Sequence, residues 1–256
     1  MPTESTAGRR RPADLLFDPL LGLFFTRGRV EQLEQLTPRV RRIRVTGPAV
    51  RGLPWTPGQH VRVHVKDLGA PVWAGMLRDV LRTYSVWAYD GEGLELCPLD
   101  HGDGPGARWA RSLRVGDEIA FRKPEGRFVV DGSAAYHLFA GEETASVAFG
   151  AMLRALPDEA RVHGVVEVAG PPDRLPLPRS GQLRWCFRGD AGAAASGSLV
   201  AAVRELDLPG EPGIAYLAGE ARTCQAVRDH LVRERGWPRR SVLVKPFWTP
   251  GRRGLD

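Results

Sequence analysis

Arg82, Tyr84 and Ser85, set in the stretch Leu81-Arg82-Thr83-Tyr84-Ser85-Val86, bring a cation, a flat aromatic ring and a hydroxyl within four positions. In an extended chain alternate residues share a face, so Arg82 and Tyr84 point one way and Thr83 and Ser85 the other, with the backbone left to bond a ring edge. Arginine offers a planar fork to a pyrophosphate, tyrosine an apolar surface, and Ser85 a hydrogen bond to a ring nitrogen at which hydride arrives. The set suits a flavin, with Thr83 contributing mainly its backbone. Taken alone, the string reads first as an ordinary half-buried strand, because β-propensity explains Tyr, Thr and Val.

Some twenty residues on, the Gly/Pro-rich turn His101-Gly102-Asp103-Gly104-Pro105-Gly106 runs into Ala107–Leu113, which has helical composition. The N–H groups at such a helix start, here near Gly106 and Ala107, hold phosphate through the dipole and their unsatisfied donors, with His101 and Gly104 on the same side. Trp109 reads as core packing. Gly141-Glu142-Glu143-Thr144-Ala145 sits where a strand meets a helix, the place open α/β sheets bind ligands. It is not a dinucleotide fingerprint: no GxGxxG follows a strand, and two carboxylates would repel a pyrophosphate. Capping and dipole compensation explain Glu142, Glu143 and Thr144 equally well. Ala218-Gly219-Glu220-Ala221-Arg222 is another strand-to-helix turn, whose glycine permits close approach of backbone to ligand. Lys245-Pro246-Phe247-Trp248-Thr249-Pro250-Gly251-Arg252-Arg253 follows near the C-terminal end.

These five stretches, in this order, resemble the siderophore-interacting protein family, the FAD-dependent ferric-siderophore reductases of the wider ferredoxin-reductase-like group, over about residues 28 to 253. The resemblance implies FAD held by Arg82, Thr83, Tyr84 and Ser85, with His101, Gly104, Gly106 and Ala107 on its phosphate side. It assigns NADH or NADPH to the turns of Glu143, Thr144 and Gly219. Ser85 and Glu220 become the catalytic pair, although Glu220 either orients the nicotinamide or caps its helix. Trp248 covers the flavin or the pocket mouth. Ferric siderophores are commonly anionic, so a basic cleft is required, and Lys66, Arg78, Lys245 and Arg252 are its candidates. The siderophore holds the iron, so no protein metal ligands are expected. Two departures stand out: Trp87 occupies a position where the family often has a second arginine, and Phe247 replaces a tyrosine. Trp87 either weakens pyrophosphate binding or stacks on a ring. Two other readings stay open, a flavin or electron-donor reductase serving a biosynthetic oxygenase, and a degenerate member with a non-redox catalytic or binding role.

The bulk properties fit this. A chain of 256 residues, 43% hydrophobic and 26% charged, makes one large domain or two small ones. No apolar run reaches the roughly 18 residues of a membrane span. Cys97, Cys186 and Cys224 are scattered without a disulfide or zinc pattern, which points to a reducing cytoplasm. The charge of +6 includes the run Arg39, Arg41, Arg42, Arg44. On a strand these straddle both faces without interleaved aromatics, so a positive pocket for an anionic substrate or cofactor is expected rather than nucleic-acid binding. Either a monomer or a homodimer is compatible.

In order along the chain, residues 1 to 13 read as a disordered tail without a signal peptide, and the apolar stretch 14 to 27, broken by Pro19 and Gly22, as a barrel cap or a dimer or membrane-surface contact. Between 28 and 132, short strands at hairpin spacing suggest an antiparallel β-barrel, the FAD domain. In His60-Val61-Arg62-Val63-His64-Val65 the valines share a face, which leaves His60 and His64 solvated and ~13 Å apart, too far for a metal pair. From 133 to 256 strands alternate with helices, as in a parallel-sheet α/β domain.

Overall fold

The computed structural model describes residues 24–65 and 81–252; Lys66, Arg78 and most of the apolar segment at 14–27 lie outside the described residues. Six strands, β1 (Thr26–Thr37), β2 (Val40–Thr46), β3 (His60–His64), β4 (Leu81–Tyr89), β5 (Gly93–Leu96) and β6 (Glu118–Phe121), close into a barrel in the order β1-β2-β5-β4-β3-β6. Every pairing in it is antiparallel. Period-two alternation drives this, since Ile43, Val45, Val61, Val63, Val86, Leu94, Leu96 and Phe121 all point inward and are fully buried. Helix α1 (Pro105–Ser112) lies between β5 and β6 and closes the core with Trp109 and Ala110.

The rest of the chain forms β7 (His137–Glu142), α2 (Ser146–Ala155), β8 (Val162–Val168), β9 (Arg184–Phe187), α3 (Gly197–Arg204), β10 (Ile214–Glu220), α4 (Ala221–Asp229) and β11 (Val242–Trp248). Its sheet is parallel, in the order β11-β10-β7-β8-β9. All six β7 residues are buried, as a central parallel strand covered on both faces requires. The winding reverses between β7 and β10, and the place at which open α/β sheets bind ligands is then beyond Glu142 and Gly219. β11 runs further than its valines suggest, through Pro246 to Trp248. Proline lacks the N–H that a sheet interior demands, and β11 tolerates it as an edge strand.

The two halves share one apolar cluster, in which Val40, Trp87, Cys97 and Phe128 of the first join Phe149, Met152 and Leu153 of the second. Trp87 is therefore not placed to stack on a flavin ring: it is buried against α2, with the Arg154 guanidinium 4.9 Å over its ring and donating to its carbonyl at 2.8 Å. A β-carbon at Gly150 would stand 2.1 Å from the indole. Replacing a mid-helix glycine by alanine gains up to about 1 kcal/mol of helix propensity, but a rigid ring and a helix backbone cannot separate without larger loss. Gly150→Ala should therefore lower stability by about 1–3 kcal/mol, the usual cost of overpacking, read as a lower urea midpoint.

The arginine run does not make a positive pocket. Arg44 binds Glu31 at 2.9 Å and Asp90 at 2.7 Å, Arg42 pairs with Glu34, and Arg41 donates to the carbonyls of Ala110 and Leu113 at the end of α1. Among the described residues, no helix is long and apolar enough to cross a membrane.

Candidate functional site

Strand β4 pairs with β3 so that Ser85 lies opposite His60 and Arg82 opposite Val63. Arg82 and Tyr84 share a face over the first turn of α1. A β-carbon on Gly106 would lie 2.7 Å from Tyr84 Oη and 3.5 Å from Arg82 Cγ, so only glycine lets helix and strand approach this closely. The Tyr84 ring stacks on Trp109 at 5.5 Å and 28°, and burial pushes its phenol pKa up against the pull of Arg82. Helix α1 has Gly104 as N-cap, no side-chain cap and no acidic residue in its first turn. Gly104 borders open space, and His101 is exposed in the turn before it. Among the described residues the first turn of α1 thus has no side-chain cap, and the Arg82 side chain, which donates to the Leu81 carbonyl at 2.8 Å, passes beside it, an arrangement that suits the phosphates of an anionic cofactor. The donor set fits FAD.

His60 departs from the solvated reading. It is buried, and its imidazole packs where a Gly126 β-carbon would come within 2.9 Å. His64 is half-buried, with its ring edge-on to Phe25 at 6.0 Å. Desolvation lowers the His60 pKa to about 4, with Lys245 and Arg62 pushing the same way and Glu125 opposing. Lys245, carried on β11, is therefore near enough to act on the charge of His60. Arg252 is exposed at the end of the described chain. A depressed histidine pKa has a stability consequence. As pH falls from 6.5 towards 4, the unfolded chain takes the proton before the folded one, so acid in that window should destabilise the fold. Urea midpoints at pH 7 and pH 5 check this, and His60→Phe should shrink the difference between them.

At the sheet's C-terminal edge the carboxylates are already engaged. Glu142, buried, accepts from the Thr144 N–H at 2.8 Å, from the Thr144 hydroxyl and from Trp248 Nε1 at 2.9 Å. Burial raises its pKa against those bonds. Gly219, at φ 117°, would put a β-carbon 2.6 Å from Glu142 Oε1, so its bareness makes room for this carboxylate. Glu143 receives Arg39 at 3.0 Å and both terminal nitrogens of Arg188, and Arg39 also donates to Asp173 at 2.9 Å. Glu220 caps α4, accepting from the N–H groups of Arg222 and Thr223, from the Thr223 hydroxyl and from Ala195 N–H. Burial would raise its pKa, yet these bonds carry it below the usual carboxylate value. Ser196 caps α3 and donates to buried Glu167. A cavity of about 390 Å³ lies between α3 and α4, lined by Ser196, Arg204, Arg222 and Thr223.

Sequence reasoning missed His60, Arg39 and Arg188 because their partners lie far along the chain: Glu143 is 104 residues from Arg39 and 45 from Arg188. No local pattern carries that information. Among the described residues no three metal-ligating side chains converge.

The barrel followed by the parallel sheet is a ferredoxin-reductase-like fold, shared with ferredoxin-NADP+ reductase from Plasmodium falciparum, with TM-score 0.71 over 87% of this chain and 96% of that one at 13% identity. Residues 29–128 match the siderophore-interacting FAD-binding domain and residues 134–251 the siderophore-interacting protein model, so the chain belongs to the siderophore-interacting protein family. It is 30% identical over 190 residues to the uncharacterized protein Rv2895c of Mycobacterium tuberculosis, covering 68% of this chain and 67% of that one. It is 26% identical over 231 residues to the ferric vibriobactin reductase ViuB of Vibrio cholerae, covering 82% and 84%. The siderophore-interacting protein SipS from Aeromonas hydrophila superposes with TM-score 0.76 at 26% identity, covering 90% of this chain and 93% of that one.

Proposed function

We propose that this protein is an FAD-dependent reductase that takes hydride from NADH or NADPH and passes electrons singly to iron(III) held by a siderophore, freeing it as Fe(II). Bound FAD supplies the conversion of two-electron to one-electron chemistry. Arg82 and the N–H groups of Gly106 and Ala107 hold its phosphates, with His101 and Gly104 at the turn, Thr83 lends its backbone, Tyr84 packs the cofactor's apolar part, and Ser85 bonds the ring edge. Lys245 and Arg252, together with Lys66 and Arg78, draw the anionic ferric chelate to the cleft. Glu143, Thr144, Gly219, Glu220 and Trp248 belong to the turns that meet the nicotinamide nucleotide. The observation that carries the reading is the uncapped first turn of α1 lying beside Arg82 and Tyr84.

Purified protein should show the two-banded yellow absorbance of oxidised flavin, bleach under anaerobic NADH or NADPH, and recolour with a ferric catecholate or hydroxamate. Colourless protein that FAD cannot reconstitute would sink the reading. A second reading, a degenerate member that keeps the scaffold without redox turnover, is favoured by one observation. Glu220 and Ser196 cap α4 and α3, so a dinucleotide pyrophosphate meets no uncapped start at those two helices, and before α2, which has no side-chain cap, it meets the carboxylates of Glu142 and Glu143. Yellow protein that neither nucleotide bleaches would select it.

A further inference from the structure

The flavin reading leaves one side chain beside Ser85 without a task. His60 is the cross-strand partner of Ser85, so both side chains leave the same face of the barrel wall, with β-carbons about 5 Å apart. No described residue hydrogen-bonds to either nitrogen of its ring; the nearest carboxylate, Glu125 Oε1, is 3.9 Å from Nε2, beyond direct reach but within that of a bridging water. The ring is nonetheless held. Glu125 and His60 exchange backbone hydrogen bonds at 3.0 and 2.9 Å, and Gly126 closes over Nδ1 and Cε1. Glu125 itself is 45% exposed and pairs with Arg62 at 2.9 Å, which connects this corner to solvent.

Proton balance gives such a group a task. Oxidising one dihydronicotinamide with two ferric ions gives one nicotinamide cation, two ferrous ions and one proton. The hydride brings two electrons and one proton to the ring edge, the electrons leave to iron, and the proton must leave by another route. Ser85 stands at that edge, and a lone hydroxyl cannot keep the proton.

We propose that His60 is the proton carrier of the site, accepting the proton released at the ring edge through the Ser85 hydroxyl and delivering it towards Glu125 and solvent. The inference rests on the flavin reading above. A neutral imidazole accepts at one nitrogen while donating from the other, so it conducts a proton without storing charge. The groups facing it fit a carrier: Lys245 from β11 and Arg62 from its own strand keep it neutral between turnovers, Glu125 marks the exit, and Ser85 is uncharged. Its low proton affinity, caused first by desolvation, is that of a carrier and not of a store.

Two measurements test this. In protein carrying ¹⁵N-labelled histidine, adding FAD to the apoprotein should move the His60 imidazole resonances, since the ring then has a neighbour at Ser85; unmoved resonances in protein that has turned yellow overturn the proposal. In stopped-flow reoxidation of reduced holoenzyme by a ferric hydroxamate with a pH indicator, His60→Ala should slow proton release by about 10²-fold, the range of a lost proton-transfer group, while FAD affinity stays within a few-fold. Free imidazole should restore the rate, which it cannot do for a merely structural loss. Proton release as fast as in the wild type overturns the carrier role. If His60→Ala does not fold, His60→Asn takes its place, and the labelled wild-type protein still decides. Protein that never binds FAD removes the flavin reading and this inference together, which separates that failure from the others.

Discussion

Glu143→Gln should cost about 3–5 kcal/mol of folding stability, the loss expected when one partner of a buried ion pair is removed and the other stays charged. The Glu143 side chain is 6% exposed and that of Arg188 is 7%, so the guanidinium has almost no water to turn to. Arg39 suffers less, because Asp173 retains it at 2.9 Å and its side chain is 32% exposed. The same carboxylate ties the barrel's β1–β2 turn to the α/β half, so its loss should loosen the junction between them. Urea unfolding at neutral pH measures the cost. A change below about 1 kcal/mol would mean that the network behaves as a surface pair. The experiment also separates two roles for Glu143: a variant that stays stable yet loses only nucleotide binding would favour the nucleotide over the clamp.

Arg82→Ala should weaken FAD binding about 10- to 150-fold. The basis is the loss of charge-assisted hydrogen bonds worth about 1.5–3 kcal/mol, in a site whose remaining phosphate donors are backbone N–H groups. The fold should survive: Arg82 is half-buried at the barrel surface, and its strand is held by the β3 and β5 ladders. Equilibrium titration of the apoprotein with FAD, followed by flavin fluorescence, gives the affinity, and circular dichroism checks the fold. Stoichiometric flavin retained at wild-type affinity would remove Arg82 from the phosphate site and leave the N-terminus of α1 as its only support.

Much of the architecture was legible residue by residue. Alternating valines marked β3, Thr37-Pro38 marked the turn between β1 and β2, and the switch from strands to strand–helix alternation separated a barrel ending at Phe121 from a sheet beginning at His137. The shared face of Arg82 and Tyr84 followed from the pleat alone. Chemistry that depended on neighbours distant in sequence was not legible. Trp87 stood one position past Val86 in a cofactor-like string, and only the packing of α2 made it a junction residue. His60 looked like a solvated partner of His64 until β3 and the 125–126 turn enclosed it. Glu142 and Glu143 looked alike in sequence. One proved to hold Thr144 and Trp248, the other two arginines, Arg39 from the barrel and Arg188 from the α/β half.

The sequence by itself determined the periodicities and the turns, because these depend on steric and hydrogen-bonding preferences within a few positions. Only the tertiary structure decided which polar groups are already engaged by the chain and which still face a ligand. Burial and pairing are set by strand register and by the docking of barrel on sheet, and those bring together residues that the chain keeps more than a hundred positions apart.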